Sequence, residues 1–172
     1  MKKLRIAQFL ALLVLPFFVG TSTSGQKRLQ EVDLRINGIA SGSSYSSIVR
    51  KLGKPLSRRT EKSAALNSCS GKDETFVTLK YEGLGIRLLG DGRGRKLSVF
   101  SMDVSSEKWL ASGARLGDST YQVRKRFGKP VSQAILSGKL IFYYVTPGNL
   151  GGVNFEFKKK KLVRIKMNET LC

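Results

Sequence analysis

Two 14-residue segments of this chain have similar sequences, and they constrain its fold more than any other feature. They begin at Gly42 and Gly117, 75 positions apart, and read GSSYSSIVRKLGKP and GDSTYQVRKRFGKP. Each opens with glycine and a helix-capping residue, places two apolar residues four apart, and stops at Gly-Lys-Pro. Glycine followed closely by proline is typical of a helix end. The pattern predicts two equivalent short helices, one in each half of a tandem repeat.

The two predicted helices have matching buried pairs and matching caps. Ile48 and Leu52 form the apolar pair of the first helix, and Val123 and Phe127 form that of the second. The predicted capping residues are Ser43 or Ser44 in the first segment and Asp118 or Ser119 in the second. Helices this short must be held by packing against another element rather than by propensity.

Strand-like segments follow each helix in the same order. Their side chains alternate between apolar and polar, as in half-buried strands. The predicted strands are Leu56–Lys62, Phe76–Tyr81, Gly85–Leu89 and Leu97–Met102 in the first half, and Val131–Leu136, Leu140–Val145, Gly152–Phe157 and Leu162–Met167 in the second. A further short strand is predicted at 32–36. We therefore expect an α+β fold of two tandem units, each a short helix packed on a four-stranded antiparallel sheet.

The last strand of each unit is predicted to face the core with alternate residues. The offset between the repeats falls from 75 at the helices to 65 at these strands, because the second copy lacks a long loop around Cys69. The predicted core-facing residues are Phe100, Met102, Val163, Ile165 and Met167. Trp109 lies in the segment that connects the halves, and we expect it either to pack at their junction or to begin the second unit.

The first 25 residues have the three-part layout of a secretory signal. Lys2, Lys3 and Arg5 precede an apolar run, and small residues up to Gly25 provide a cleavage site. The predicted domains are a signal peptide over 1–25 and repeats over 26–104 and 105–172. We expect a periplasmic or secreted protein, in which a disulfide is allowed. The only intramolecular pair is Cys69 with Cys172; pairing between chains is the alternative.

The charge balance and the lack of histidine limit the possible functions. The chain carries 31 Lys and Arg against 12 Asp and Glu, a formal charge of +19, and no histidine. A cationic surface attracts anionic polymers, lipid head groups or acidic proteins. Without histidine there is no Ser-His or Cys-His arrangement, and two distant cysteines do not form a zinc site. The sequence predicts no catalytic, cofactor-binding or metal-binding residues. Nucleic acid is a less favoured partner, since an exported chain does not meet it inside the cell.

Two further motifs have structural explanations. Ser105 and Lys108 have the spacing of the serine–lysine pair of penicillin-recognising enzymes, but the accompanying elements of those enzymes do not occur. The glycine-rich stretch 90–95 has no helix after it and is predicted to be a hairpin turn rather than a phosphate cradle.

The helix-plus-strands pattern ending in Gly-Lys-Pro resembles a bacterial envelope superfamily. This superfamily includes the β-lactamase inhibitory proteins and the small outer-membrane assembly lipoproteins. The resemblance covers most of 36–167 and implies a fold of two tandem units. It also implies binding rather than catalysis, often through the sheet face.

One sheet face of each unit should bury its helix, which leaves the other face for contacts. The predicted binding residues on that face are Lys80, Arg87, Tyr143, Asn154, Glu156, Arg164 and Lys166. We expect an exported, non-enzymatic protein that contacts an envelope protein or an anionic polymer or lipid surface through a basic sheet face, without a cofactor. The alternative is a cell-wall or polysaccharide-active enzyme that uses carboxylates.

Overall fold

The computed structural model describes residues 31–64, 71–149 and 151–169 and confirms the predicted fold class. Two short helices are each followed by four antiparallel strands. The elements are α1 Tyr45–Leu52, β1 Ser57–Ser63, β2 Glu74–Tyr81, β3 Leu84–Asp91, β4 Ser98–Val104, α2 Thr120–Phe127, β5 Ser132–Leu136, β6 Lys139–Val145, β7 Gly151–Lys158 and β8 Lys161–Glu169. The predicted leader and both cysteines lie outside the described residues, so the signal peptide, the Cys69–Cys172 bridge and the domain limits stay predictions.

Both helices begin and end where the sequence pattern predicts. Ser44 and Ser119 are the N-caps, and each side chain accepts a hydrogen bond from a backbone N–H of the first turn. Gly53 and Gly128 follow the helices with φ of 79° and 76°, a left-handed conformation that favours glycine. Local capping therefore marks the limits of both helices, as the sequence predicts.

The two four-stranded halves join into one eight-stranded sheet. Its strand order is β1-β2-β3-β4-β8-β7-β6-β5, so the last strand of each half meets the other at the centre. β4 and β8 are antiparallel, with Met102 opposite Met167 and Asp103 opposite Lys166. Every strand pair in the described sheet is antiparallel.

The repeat register differs from the predicted offset of 65. β4 and β8 each contain a bulge, in which Phe100 and Val163 lie between residues paired with the neighbouring strand. Aligning the bulges gives an offset of 63, and buried and exposed positions then match along both strands. The bulges also overturn the predicted core positions of these two residues. Phe100 packs against Phe76 on the other face of the sheet, and Val163 is 36% exposed.

The repeat is visible in individual hydrogen bonds. The Tyr81 hydroxyl donates to the Gly53 carbonyl at 3.1 Å, and the Tyr144 hydroxyl donates to the Gly128 carbonyl at 2.9 Å. In both halves a β-strand tyrosine therefore secures the end of the helix above it. Asp103 and Lys166 are equivalent in the repeat and also face each other, so a local two-fold axis passes through this pair.

The core lies between the sheet and the two helices. Ile48, Val123 and Phe127 reach it from the helices, and Met102, Ile165 and Met167 reach it from β4 and β8 as predicted. The segment 32–36 alternates buried and exposed residues but forms only isolated bridges. The predicted strand there is wrong, because the segment packs over the core without pairing along a neighbouring strand.

The junction residue Trp109 is buried against the first half. Its ring lies 6.2 Å from that of Tyr81, and its indole N–H donates to the Glu82 carbonyl at 2.7 Å. This agrees with the predicted packing at the junction.

Candidate binding face

The strands place all seven predicted binding residues on the sheet face opposite the helices, which we call the open face. They alternate with core residues such as Leu79, Ile86 and Phe155. Four of the seven belong to one row across the sheet, made of directly opposed residues. In order, this row runs Lys80, Gly85, Asp103, Lys166, Asn154, Tyr143 and Ser132. Glu156 lies opposite Arg164 in the adjoining row.

The cations at the centre of the open face are paired with acids. The Arg164 guanidinium makes two hydrogen bonds to the Asp103 carboxylate, one of them 2.7 Å from Nε to Oδ1. Lys139 and Lys166 contact Glu156 at 2.9 and 3.4 Å. The sequence analysis missed Asp103 and Lys139 as members of this cluster. Asp103 alternates with the core residues on either side of it, which could have placed it on the open face.

Glu156 is the most buried acid of this cluster, with 7% of its surface exposed. Burial raises the pKa of Glu156, but the Lys139 hydrogen bond and the Lys166 charge outweigh it, so the pKa lies below the usual value. The carboxylate is therefore held ionised between two ammonium groups and has no tendency to carry a proton near neutral pH.

In the first half, Arg87 is held by an aromatic ring and an acid. Its guanidinium carbon lies 4.1 Å above the Phe76 ring centre, and Nη2 is 3.7 Å from Glu61. Phe100 packs against the same Phe76 ring with a centroid distance of 6.1 Å. Stacking and ion pairing fix the direction of a side chain that would otherwise be mobile.

Tyr143 lies across a glycine in the neighbouring strand. A Cβ atom added at Gly152 would come 2.1 Å from Tyr143 Cε2, so only glycine leaves room for the ring. Lys80 is exposed and has no ion-pair partner among the described residues. Among the described residues, the open face thus combines the unpaired cation Lys80, a fixed tyrosine and several ion pairs. It is a mixed polar and partly aromatic surface, and a basic character of the face as a whole stays a prediction.

The excess positive charge concentrates on the helix side and on the hairpins. Four cations lie on or directly after α2, and the β7–β8 hairpin carries four consecutive lysines. The helix-side and hairpin cations include Arg50, Lys51, Lys54, Arg93, Arg95, Lys96, Arg124, Lys125, Arg126, Lys129 and the run 158–161.

The glycine-rich stretch 90–95 forms the turn between β3 and β4, as predicted. Asp91 accepts hydrogen bonds from the backbone N–H groups of Arg95 and Arg93 at 2.8 and 3.1 Å. The hydrogen bond from Arg95 makes the largest contribution to lowering the pKa of Asp91. The carboxylate serves to close the turn.

Two other kinds of feature are absent from the described residues. Within the ranges described, no group of three or more His, Cys, Asp and Glu residues is arranged to hold a metal ion. No helix in the same ranges is both long and apolar enough to cross a bilayer.

Comparison with known proteins gives structural similarity alone. No protein-family model matches the sequence, and no curated protein matches it. An extracellular protein containing an SCP domain from Bacillus anthracis aligns over 75% of this chain with 13% identity and a TM-score of 0.44. This chain covers 44% of that protein, less than half of its length.

Two other solved structures are also distantly similar. A DUF4309 family protein, YjgB, from Bacillus subtilis aligns over 74% of this chain and 79% of its own, with 11% identity and a TM-score of 0.40. A Streptococcus mutans protein provisionally described as a β-lactamase inhibitor protein aligns over 76% and 85%, with 19% identity and a TM-score of 0.29.

Proposed function

We propose that this chain is an exported, non-catalytic protein that binds another protein of the envelope or cell exterior through the open face. The observation that carries the proposal is the cross-strand row from Lys80 to Tyr143. The described elements leave this row uncovered, and its members come from both halves of the repeat. A contact surface assembled across both halves gives a reason for joining the two sheets.

Three side chains of the open face are held in place before any partner arrives. Arg164 is fixed by Asp103, Arg87 by Phe76 and Tyr143 by its position over Gly152. Holding side chains in their bound conformation reduces the entropy lost on association. Fixed tyrosine and arginine side chains are also common binding hot spots.

The ion pairs favour a protein partner over an anionic polymer at this face. Polyanion binding gains its free energy by releasing counterions from many free cations. Here Arg164, Lys166 and Arg87 already face Asp103, Glu156 or Glu61. A partner with both acidic and basic groups matches this pattern better.

The carboxylate-enzyme alternative gains no support from the two acids whose pKa is shifted, Glu156 on the open face and Asp91 in the β3–β4 turn. A glycosidase needs one carboxyl that keeps its proton near neutral pH, which requires a raised pKa. The pKa of Glu156 and that of Asp91 are both lowered. The surroundings of these two carboxyls therefore favour ion pairing and turn closure over proton transfer.

Site-specific photo-crosslinking tests the proposed face. A benzoylphenylalanine side chain is placed at Asn154, in the central row, and at Lys125, which is exposed on α2 as a matched control. In the producing cells we expect Asn154 to crosslink to one defined protein and Lys125 to give none of that product. The same product should form when the irradiation is repeated on cell extract at high salt. Equal yields of the same product from both positions would contradict binding through the open face.

A further inference from the structure

The two edges of the sheet hold equivalent places in the repeat but differ in chemistry. β1 and β5 are the outermost strands. β1 carries four charged residues in seven, and charge on an edge strand opposes pairing with another chain. These residues are Arg58, Arg59, Glu61 and Lys62. β5, Ser132–Leu136, has no charged residue although the chain has a net charge of +19.

β5 also exposes large apolar side chains. Ile135 is 79% exposed and Leu136 is 65% exposed, so the two faces of the strand each present one. All five residues of β5 are exposed. On the side away from β6, the strand pairs with no other strand in the described part of the chain. Such an edge is open to backbone pairing with an added strand.

A groove with positive charges lies beside this edge. It has a volume of about 480 Å³, and its lining runs from the end of α2 into β5. Arg124 and Lys129 supply its cations, and the described residues that line it include no acid. Arg124 is held in place because its guanidinium lies 4.7 Å from the Phe142 ring centre and donates to Gln133 Oε1 at 2.9 Å.

An exposed aromatic residue extends this site along α2. Tyr121 is 71% exposed and precedes Arg124 by three residues, so both lie on the same side of the helix. Apolar, cationic and unpaired backbone groups therefore meet at one edge of the molecule.

We propose that β5 is a docking edge for an extended, acidic segment of another protein, which joins the sheet as an additional strand. Backbone hydrogen bonds to β5 supply affinity, and alternate side chains supply specificity. Apolar residues of the segment contact Ile135 and Leu136, while its carboxylates meet Arg124 and Lys129. A second copy fits less well, because β5–β5 pairing would bring the same cations together. Ser132 and Leu136 of β5 lie at the margin of the open face, but the unpaired backbone edge is separate from the row around Asp103 and Asn154, so either site can fail its test without the other.

The repeat itself provides the variant for the test. Ala134, Ile135 and Leu136 are equivalent in register to Arg59, Thr60 and Glu61 of β1. The triple variant A134R/I135T/L136E therefore gives β5 side chains that the same fold already accommodates at its other edge. Lys80→Ala, on the open face, is the matched control.

Selection from a display library of random peptides of about eight residues, roughly the length of an ordinary strand, identifies what β5 binds. We expect the peptides enriched on the wild-type protein to carry adjacent apolar residues for Ile135 and Leu136, with Asp or Glu towards the end of the peptide that meets Arg124 and Lys129. A synthetic peptide of the enriched sequence should bind the triple variant about tenfold more weakly or worse, bind Lys80→Ala normally, and weaken with salt. Circular dichroism checks the fold of each variant. If the triple variant does not fold, Leu136→Glu alone replaces it, since its carboxylate repels an acidic strand.

Three results would overturn the proposal. The first is enrichment of peptides without acidic residues. The second is equal binding of the selected peptide to the wild-type protein and the folded edge variant. The third is a wild-type dimer in sedimentation experiments that the edge variant abolishes, which would make a second copy the occupant.

Discussion

At the scale of single residues, equivalent side chains of the two halves have comparable tasks but different surroundings. Tyr81 is partly exposed, whereas Tyr144 is fully buried and packs edge-on against Phe127 and Phe155. Both hydroxyls close the end of a helix. The equivalence of these two tyrosines in the repeat is visible in their hydrogen bonds. The residues next to them in the sequence have little similarity.

The buried tyrosine should give the protein an alkaline instability. Burial raises the pKa of Tyr144 to about 12, from 10.0 in its ordinary state. The unfolded chain therefore ionises this tyrosine first, so its contribution to stability is complete below pH 10 and is lost as the pH rises towards about 12. We expect Tyr144→Phe to flatten the fall of the unfolding free energy over this interval. Chemical denaturation of the wild type and of Tyr144→Phe between pH 10 and about 12 measures this free energy. Free energies that fall in parallel for the two proteins would contradict the expectation.

The buried acid of the open face should act in the opposite pH range. Glu156 is ionised between Lys139 and Lys166, and its pKa is lowered in the folded state. Its contribution is therefore present above the ordinary glutamate pKa and is lost as the pH falls through the folded value. Glu156→Gln should cost about 1–3 kcal/mol at neutral pH, because a charged hydrogen bond is lost, and less in acid. Urea unfolding at neutral pH and at a pH below the ordinary glutamate pKa checks this. Glu82 forms an exposed ion pair with Lys108, so Glu82→Gln is a control that should change the unfolding free energy very little.

At the scale of elements, how much the sequence predicts depends on how local the cause is. Caps, apolar pairs and terminal glycines act within one or two turns, and both helices match the predicted limits. The register of β4 and β8 depends on bulges at Phe100 and Val163. These bulges are set by pairing with the neighbouring strands β3 and β7. Alternation within a strand does not reveal a bulge, so the predicted offset of 65 was two residues off. The segment 32–36 alternates as a strand does, yet its burial comes from tertiary packing.

The two helix caps should differ in strength. Ser119 forms a capping box, in which Gln122 also accepts from the Ser119 backbone N–H at 2.7 Å. Ser44 caps α1 by its side chain alone, at 3.3 Å from the Ser47 nitrogen. Ser119→Ala should therefore cost about 1 kcal/mol or more, and Ser44→Ala less. Thermal unfolding of the two single variants compares them, and a larger loss for Ser44→Ala would show that the box contributes nothing.

At the scale of the whole molecule, the sequence did not predict that the two four-stranded sheets join into one. Each half reads as a helix on four strands, and nothing local indicates that β4 pairs with β8. The open face was predicted as a set of residues, because alternation places side chains on faces. The ion pairs of this face were not predicted, because Asp103 and Lys139 meet their partners only through cross-strand pairing. Long-range pairing thus decides both the shape of the molecule and the chemistry of its candidate site.

The central strand pair should make the two halves unfold together. Met167 is 1% exposed and lies opposite Met102 of the other half, so both halves share this part of the core. Met167→Ala should destabilise the protein by about 2–5 kcal/mol, because it leaves a cavity at the junction. Trp109 fluorescence reports packing against the first half, and far-ultraviolet circular dichroism reports the whole sheet. We expect the substitution in the second half to move both transitions to the same lower midpoint. A fluorescence midpoint that stays at the wild-type value while the dichroism midpoint falls would mean that the halves fold independently, and that the shared sheet is not the cooperative unit.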